Sequence, residues 1–236
     1  MNAKAFYDSH AATYDERHRN VRTDYMRSIE KALIKKFASG RVLDIGCGTG
    51  DNITNGGAGL DISSGMLREA KKKGHSVLVQ GAAERLPFKN ESFDSVICMF
   101  TVLNLCNYKD AVKEIRRVLK KGGTAIVSAS SVWDNSKYGL VRRVLSRKKS
   151  RFMKMRIEKF RFKFFGFSKS NLIGAFGSFS LTKFYGIYLI TKPFWGWHRD
   201  FSLKERIALK MAFALERLLQ PFNRAAGMYF GIFRKV

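Results

Sequence analysis

The stretch Val42-Leu43-Asp44-Ile45-Gly46-Cys47-Gly48-Thr49-Gly50 limits what this chain can fold into more than any other. Its first half is a short, β-branched apolar run of the kind found in buried strands, and its second half is a glycine turn. Together they predict a strand that breaks into a loop at the carboxyl edge of a sheet, where open α/β sheets bind their ligands. Glycines at 46, 48 and 50 remove the Cβ atoms that would hold a ligand off the backbone. The spacing differs from the dinucleotide fingerprint, and Asp44 would repel a pyrophosphate. Seventeen residues on, Gly59-Leu60-Asp61-Ile62 predicts a second strand ending in an acid, placed to accept hydrogen bonds from both hydroxyls of a ribose. Two acids at neighbouring strand ends suit a nucleoside that carries no phosphate.

The strings VLDIGCGTG, GLDISSGML, QGAAERLPFKNESFDSVICMF and EIRRVLKKGG follow one another along the chain. In order and spacing they resemble the class I S-adenosylmethionine-dependent methyltransferases, in the branch that includes the ubiquinone and menaquinone methyltransferases. The resemblance runs from Tyr7 to Ser128, roughly half of the chain. It implies an α/β fold, a Rossmann-like seven-stranded, mostly parallel sheet with helices on both faces. It also implies S-adenosyl-L-methionine as cofactor, held by Asp44, Gly46, Cys47, Gly48, Gly50, Asp61, Ile62, Ala82, Ala83, Glu84 and Met99. Relatives usually carry Asp or Asn where Ala82 stands, to accept from the adenine amino group. That acceptor is missing here, although the backbone of Ala83 can still donate to the ring.

Three segments are expected: 1–131, the cofactor-binding core with an N-terminal lid; 132–180, a basic and aromatic cap insertion; and 181–236, strands and a helix that complete the same sheet. In the lid, Tyr7-Asp8 and Tyr14-Asp15 resemble the family segment that folds over cofactor and acceptor. Thr23 or Asp24 is expected to cap the next helix, with Tyr25, Ile29, Leu33 and Ile34 on its apolar stripe. Only ten residues separate Gly50 from Asp61, so the first crossover helix should be a stub. Ser63 or Ser64 should open a helix that stops at Gly74, and Asn107 or Asp110 another. Strand six is expected at Phe184–Ile190 and a last, antiparallel strand at Met228–Phe233. Between them, Ser202 and Glu205 read as a capping box for a helix that buries Ile207, Met211, Ala214, Leu215 and Leu218.

The chain carries 44 Lys and Arg against 19 Asp and Glu, a net charge of +25, which points to an anionic partner. From Lys137 to Lys169 thirteen residues are Lys or Arg and one, Glu158, is acidic. Within this segment Phe152 to Phe165 interleaves cations with Phe, Met and Ile. It reads as a stretch for an anionic membrane surface, as a grip on RNA, or as a cap helix packed through Met153, Ile157, Phe160 and Phe164. Its high apolar content favours the membrane or amphipathic-acceptor reading. Cys47, Cys98 and Cys106 lack metal-ligand spacing and read as free thiols in a reducing compartment. No apolar run reaches the ~20 residues of a membrane span, and a cytoplasmic place, with peripheral membrane attachment open, is the expectation.

The cofactor implied by the resemblance brings an activated methyl group, so the protein has to align a nucleophile and exclude water. Candidate bases are His198, His10, Asp8 and Asp15, no metal is called for, and His18 and His75 read as surface or structural. A pocket of Trp195, Trp197 and His198 at a strand end is a further candidate for the acceptor. The leading reading is methylation of a small amphipathic acceptor that is quinone-, prenyl- or lipid-like. The alternatives are an RNA (tRNA) methyltransferase gripping its substrate with the basic cap, and a non-catalytic binding protein on the same fold.

Overall fold

The computed structural model describes residues 3–133, 149–157, 160–189 and 202–236. An N-terminal pair of helices, α1 (Ala3–His10) and α2 (Tyr14–Arg17), leads into α3 (Val21–Phe37). Strands β1 (Val42–Ile45) and β2 (Ala58–Asp61) precede α4 (Ser64–Lys72), β3 (Leu78–Gln80) and β4 (Phe93–Cys98). Then come α5 (Val102–Leu105), α6 (Tyr108–Val118), β5 (Leu119–Ser130), β6 (Arg151–Ile157) and β7 (Phe160–Gly166). The remaining elements are α7 (Lys169–Ala175), β8 (Phe179–Ile187), α8 (Leu203–Glu216) and β9 (Met228–Lys235).

Seven strands form one sheet in the order β3-β2-β1-β4-β5-β9-β8. β1 to β5 pair in parallel, and β9 runs antiparallel between β5 and β8. The parallel strands are apolar on both sides because helices cover both faces. Alternation along β4 shows how: Val96 and Cys98 pack with Ile115 and Val118 of α6, while Ile97 packs with Met26, Leu33 and Ile34 of α3. Each such fully buried side chain contributes about 1.5–3 kcal/mol by leaving water.

Five local expectations change. Asn20, not Thr23 or Asp24, caps α3, its side chain accepting from the backbone N–H of Arg22 and Thr23 at 3.2 and 3.1 Å. The β1–β2 crossover contains no helix, not even a stub: backbone bonds Gly50 N to Cys47 O, Ile53 N to Gly50 O and Gly57 N to Thr54 O make it a chain of tight turns. The stretch around Phe152–Phe165 is an antiparallel hairpin, not a helix, with Met153 opposite Phe164 and Lys154 opposite Lys163. Phe160, Phe162 and Phe164 alternate inward while Arg161 and Lys163 stay out, so period two wins over the helical spacing that the same residues also satisfy. Strand six begins earlier than expected, at Phe179.

The fifth change concerns α8. Its capping box is present, Ser202 and Glu205 bonding each other's backbone. The stripe expected inside, however, faces out: Ile207, Met211, Ala214, Leu215 and Leu218 are all exposed, and Phe213 and Glu216 are buried instead. Three anchors fix this rotation. Phe213 stacks on Tyr25 with ring centroids 3.8 Å apart, Glu216 accepts the Tyr188 N–H at 3.0 Å, and Gln220 bonds both the N–H and the carbonyl of Gly186. The Trp195, Trp197 and His198 cluster lies outside the described residues.

Candidate cofactor cleft

The glycine turn after β1 is held on its neighbour: the N–H groups of Gly46 and Cys47 both donate to Leu60 O, at 2.7 and 3.0 Å. Gly46 and Gly48 have positive φ, 71° and 53°. A Cβ at Gly46 would run into Val102, whereas one at Gly48 would meet no atom within 4 Å. Gly48 therefore leaves open space above its backbone, and Gly46 lets the start of α5 approach closely. Gly50 serves differently from the expectation: a Cβ there would strike the His75 ring, and Gly50 lines no part of the cleft.

Two compartments meet over this turn and share Tyr14, Gly46, Gly48, Met99 and Phe100. The first is walled by Asp61, Ile62, Ala82, Ala83 and Glu84, with Tyr7 of α1 above and Thr101 and Val102 beyond. Asp61 is fixed at both oxygens, Oδ2 accepting from Gly48 N and Oδ1 from Ser63 N, each at 2.8 Å. Each oxygen keeps a second lone pair for a ligand hydroxyl. Glu84 also accepts the Asn107 N–H at 2.9 Å, so it starts α6 as well as lining the cleft. At the strand end Phe100 takes φ 64°, rare for a side chain of this size, with its N–H on Ser128 Oγ at 2.6 Å. That turn of the backbone lets Met99 and Phe100 border both compartments.

The second compartment holds Asp44 and Cys47 together with residues of α3 that the sequence did not mark: Arg27, Glu30 and, from the preceding turn, His18. Burial pushes the Asp44 carboxyl up to about 8, helped by repulsion from Glu30, Asp61 and Asp51. Burial likewise raises Glu30 to about 7 against the pull of Asn52 and Arg27, and raises Asp61 against its two amide bonds. Glu30 Oε1 is buried without a hydrogen-bond partner. Two buried carboxyls, Asp44 and Glu30, thus face this hollow, one of them with an unmet oxygen, and both are poised to ionise beside an entering cationic group. His18, read from the sequence as surface or structural, lines this compartment: its ring lies 4.1 Å from the Tyr14 ring and its burial lowers its pKa, keeping the imidazole neutral. Burial raises the Cys47 thiol, so it lines the cleft as a small apolar group.

The lid is pinned by the very acids that were candidate bases. Asp8 accepts from Ser63 Oγ at 2.6 Å and Gly65 N at 3.0 Å and pairs with Lys4. Burial opposes its ionisation, but these partners outweigh that and hold it down at about 2. Asp15 accepts from Thr49 Oγ1 at 2.7 Å and pairs with Lys73 at 2.6 Å, tying the lid to the glycine loop. His10 is buried against Phe6, with Nδ1 2.8 Å from the Phe6 carbonyl. None of the three lines either compartment. Among the described residues no group of three His, Cys, Asp or Glu side chains could hold a metal.

With that geometry in view, residues 43–127 match the family described as a methyltransferase domain. That stretch carries the methyltransferase-domain pattern, and it runs from β1 through β4 and takes in most of β5. A demethylmenaquinone methyltransferase of Staphylococcus aureus is 38% identical over 104 residues, 39% of this chain and 43% of its own length. An uncharacterized protein of Methanocaldococcus jannaschii is 44% identical over 138 residues, 57% of this chain and 54% of its own. The chain thus spans about half the length of the curated relatives it matches. Among solved structures, an S-adenosylmethionine-dependent methyltransferase of Thermotoga maritima aligns over 99% of both chains at TM-score 0.61 and 18% identity. A Haloferax volcanii protein solved with the Trm112 methyltransferase activator aligns over 97% of both at TM-score 0.62 and 19% identity. At these identities the likeness speaks to fold.

If S-adenosylmethionine binds here, Asp61, Ile62 and the 82–84 turn would hold its nucleoside, and Asp44 and Glu30, protonated in the free protein, would ionise beside its cationic methionine end. Ala82 leaves the adenine amine without a side-chain acceptor, which yields a prediction. Ala82→Asp should tighten S-adenosylmethionine binding by roughly three- to tenfold, the worth of one added hydrogen bond. Calorimetric titration of the two proteins checks it, and an unchanged affinity would place the adenine elsewhere.

Proposed function

We propose that the chain is a methyltransferase that transfers the methyl group of S-adenosylmethionine to a small amphipathic acceptor of quinone, prenyl or lipid-like character. The observation that carries this reading is the cleft wall. Met99 and Phe100 just past β4 and Val102 and Leu105 of α5 line it on one side, and Tyr7 and Tyr14 close it from the lid. Behind the lid, Phe6 meets Phe160 and Phe162 of the hairpin edge-on at 5.3 and 5.4 Å, so the lid is backed by aromatic rings. A wall of this kind shields apolar ligand surface and keeps water away from a reacting centre.

The bound cofactor would supply the electrophilic methyl group, and the chain's residues hold and screen. Burial raises both tyrosine phenols, so they stay neutral, and the Tyr7 hydroxyl lies 3.3 Å from Thr101 Oγ1. Since Asp8, Asp15 and His10 are committed to the lid, the reading favours an acceptor acidic enough to lose its proton without a dedicated base, as a quinol or phenol is. That acceptor class also agrees with the naming of the Staphylococcus relative.

The test is to incubate the purified protein with methyl-labelled S-adenosylmethionine and host fractions of lipid, RNA and small molecules. Label should enter the organic-soluble fraction and be lost in Gly48→Arg, whose side chain would occupy the open space above the turn. Label in RNA instead would overturn the acceptor class. No label in any fraction, together with no cofactor binding, would overturn the methyltransferase reading itself.

A further inference from the structure

We infer that the outward face of α8 is a docking surface for an anionic membrane. Leu203, Ile207, Met211, Leu215 and Leu218 are exposed at 74, 51, 68, 49 and 75%, and Ala214 lies among them. At 3.6 residues per turn the five within the helix fall within an arc of about 120°, opposite the side that Phe213 and Glu216 bury, and Leu218 follows in the turn just past its end. Ordinary surfaces scatter single apolar residues; a continuous stripe along a whole helix marks a contact. The groove beside it, between α8 and α3, extends the same surface past Val21 and Tyr25.

The charges choose the occupant. Lys204, Lys210 and Arg217 are exposed along the stripe, while Glu216 is buried and Glu205 is engaged in the capping box. Asp24 adds one acid to the adjoining groove, but Lys204, Lys210 and Arg217 outnumber it, and an apolar stripe bordered mainly by cations is the signature of a helix lying in the plane of a membrane interface, its lysines and arginines reaching the lipid phosphates. With 14 residues α8 is a surface element, and no helix among the described residues is long and apolar enough to cross a membrane. A second copy of this chain would bring the same cations into facing positions on a protein of net charge +25, which like-charge repulsion opposes. An RNA would meet Leu, Ile, Met and Ala, with no aromatic ring in the α8 stripe on which a base could stack. Docking through α8 is independent of which acceptor the cleft takes.

The experiment is vesicle flotation of the full chain with phosphatidylcholine vesicles, with and without phosphatidylglycerol. The wild type should float with the anionic vesicles. Met211→Asp combined with Leu218→Asp should lower the bound fraction at least tenfold while leaving the helical circular-dichroism signal and the thermal shift by S-adenosylmethionine unchanged. Lys204→Glu with Lys210→Glu should remove the preference for anionic lipid. Lys154→Glu with Lys163→Glu, on the hairpin, should keep the α8-dependent binding. Three results would overturn the inference: no flotation of the wild type, flotation unaffected by the α8 apolar substitutions, or a concentration-dependent dimer or an RNA complex that those substitutions abolish in place of vesicle binding.

Discussion

Asp61→Ala is expected to weaken S-adenosylmethionine binding by about 100-fold or more while leaving the fold intact. Two hydrogen bonds from ribose hydroxyls to a carboxylate are together worth about 3 kcal/mol at the low end, which is roughly that factor. The substitution also strips the Gly48 and Ser63 amides of their acceptor, loosening the turn on one side and the start of α4 on the other. Stability should move little in the opposite sense to affinity, because burying Asp61 already opposes its ionisation. Titration calorimetry gives the first quantity and thermal unfolding the second. If Asp61→Ala binds S-adenosylmethionine as the wild type does, the nucleoside does not lie on β2's end.

The second large effect is a pH dependence that reverses on binding. Asp44 and Glu30, raised to about 8 and 7, keep protons in the folded chain that the unfolded chain releases near pH 4. The unfolded state therefore binds fewer protons across that interval, and stability without ligand falls as pH rises through it. Asp8, held at about 2, and Asp15, also lowered, have their contribution fully present above pH 4, so they do not alter the slope there. His18, lowered by burial, acts with the opposite sign only up to its unfolded value of about 6.5. The window from pH 6.5 to 8 thus isolates the acids, Asp44 above all. A sulfonium and an ammonium entering the hollow favour the ionised carboxylates, so cofactor affinity should rise across the same window. Calorimetry at pH 7 in buffers of different ionisation enthalpy should show release of roughly one proton per ligand. Proton uptake on binding would contradict a cation seated beside Asp44.

How much of this was readable beforehand varied with the kind of signal. The β1 turn, Asp61 and the Ser63 cap were legible because each joins a short apolar run to a residue type whose backbone or side-chain chemistry is local. Asn20 was not chosen as a cap because Thr23 and Asp24 carry the same chemistry a few residues on. Glu30 and His18 escaped notice because their placement depends on α3 folding across the end of β1, which nothing in their neighbours states. In the hairpin, Phe160 and Phe164 satisfy helical and strand periods at once, and Lys154 facing Lys163 is visible only after pairing. For α8 the sequence showed which residues share a stripe but not which way it points. That was decided by Tyr25, Tyr188 and Gly186, all distant along the chain. The partners of Asp8 and Asp15 are not legible for a related reason: an acid beside a cleft and an acid bracing its lid look alike in sequence until Ser63, Thr49 and Lys73 are seen beside them.

The most direct test is a crystal structure of the full chain with S-adenosylhomocysteine. Ribose hydroxyls on the Asp61 carboxylate, adenine between Ile62 and Ala83, and the amino-acid end over Gly48 beside Asp44 are the predicted result. A ligand seated anywhere else, or Tyr7 and Tyr14 filling the hollow while the nucleoside binds outside it, would contradict the account.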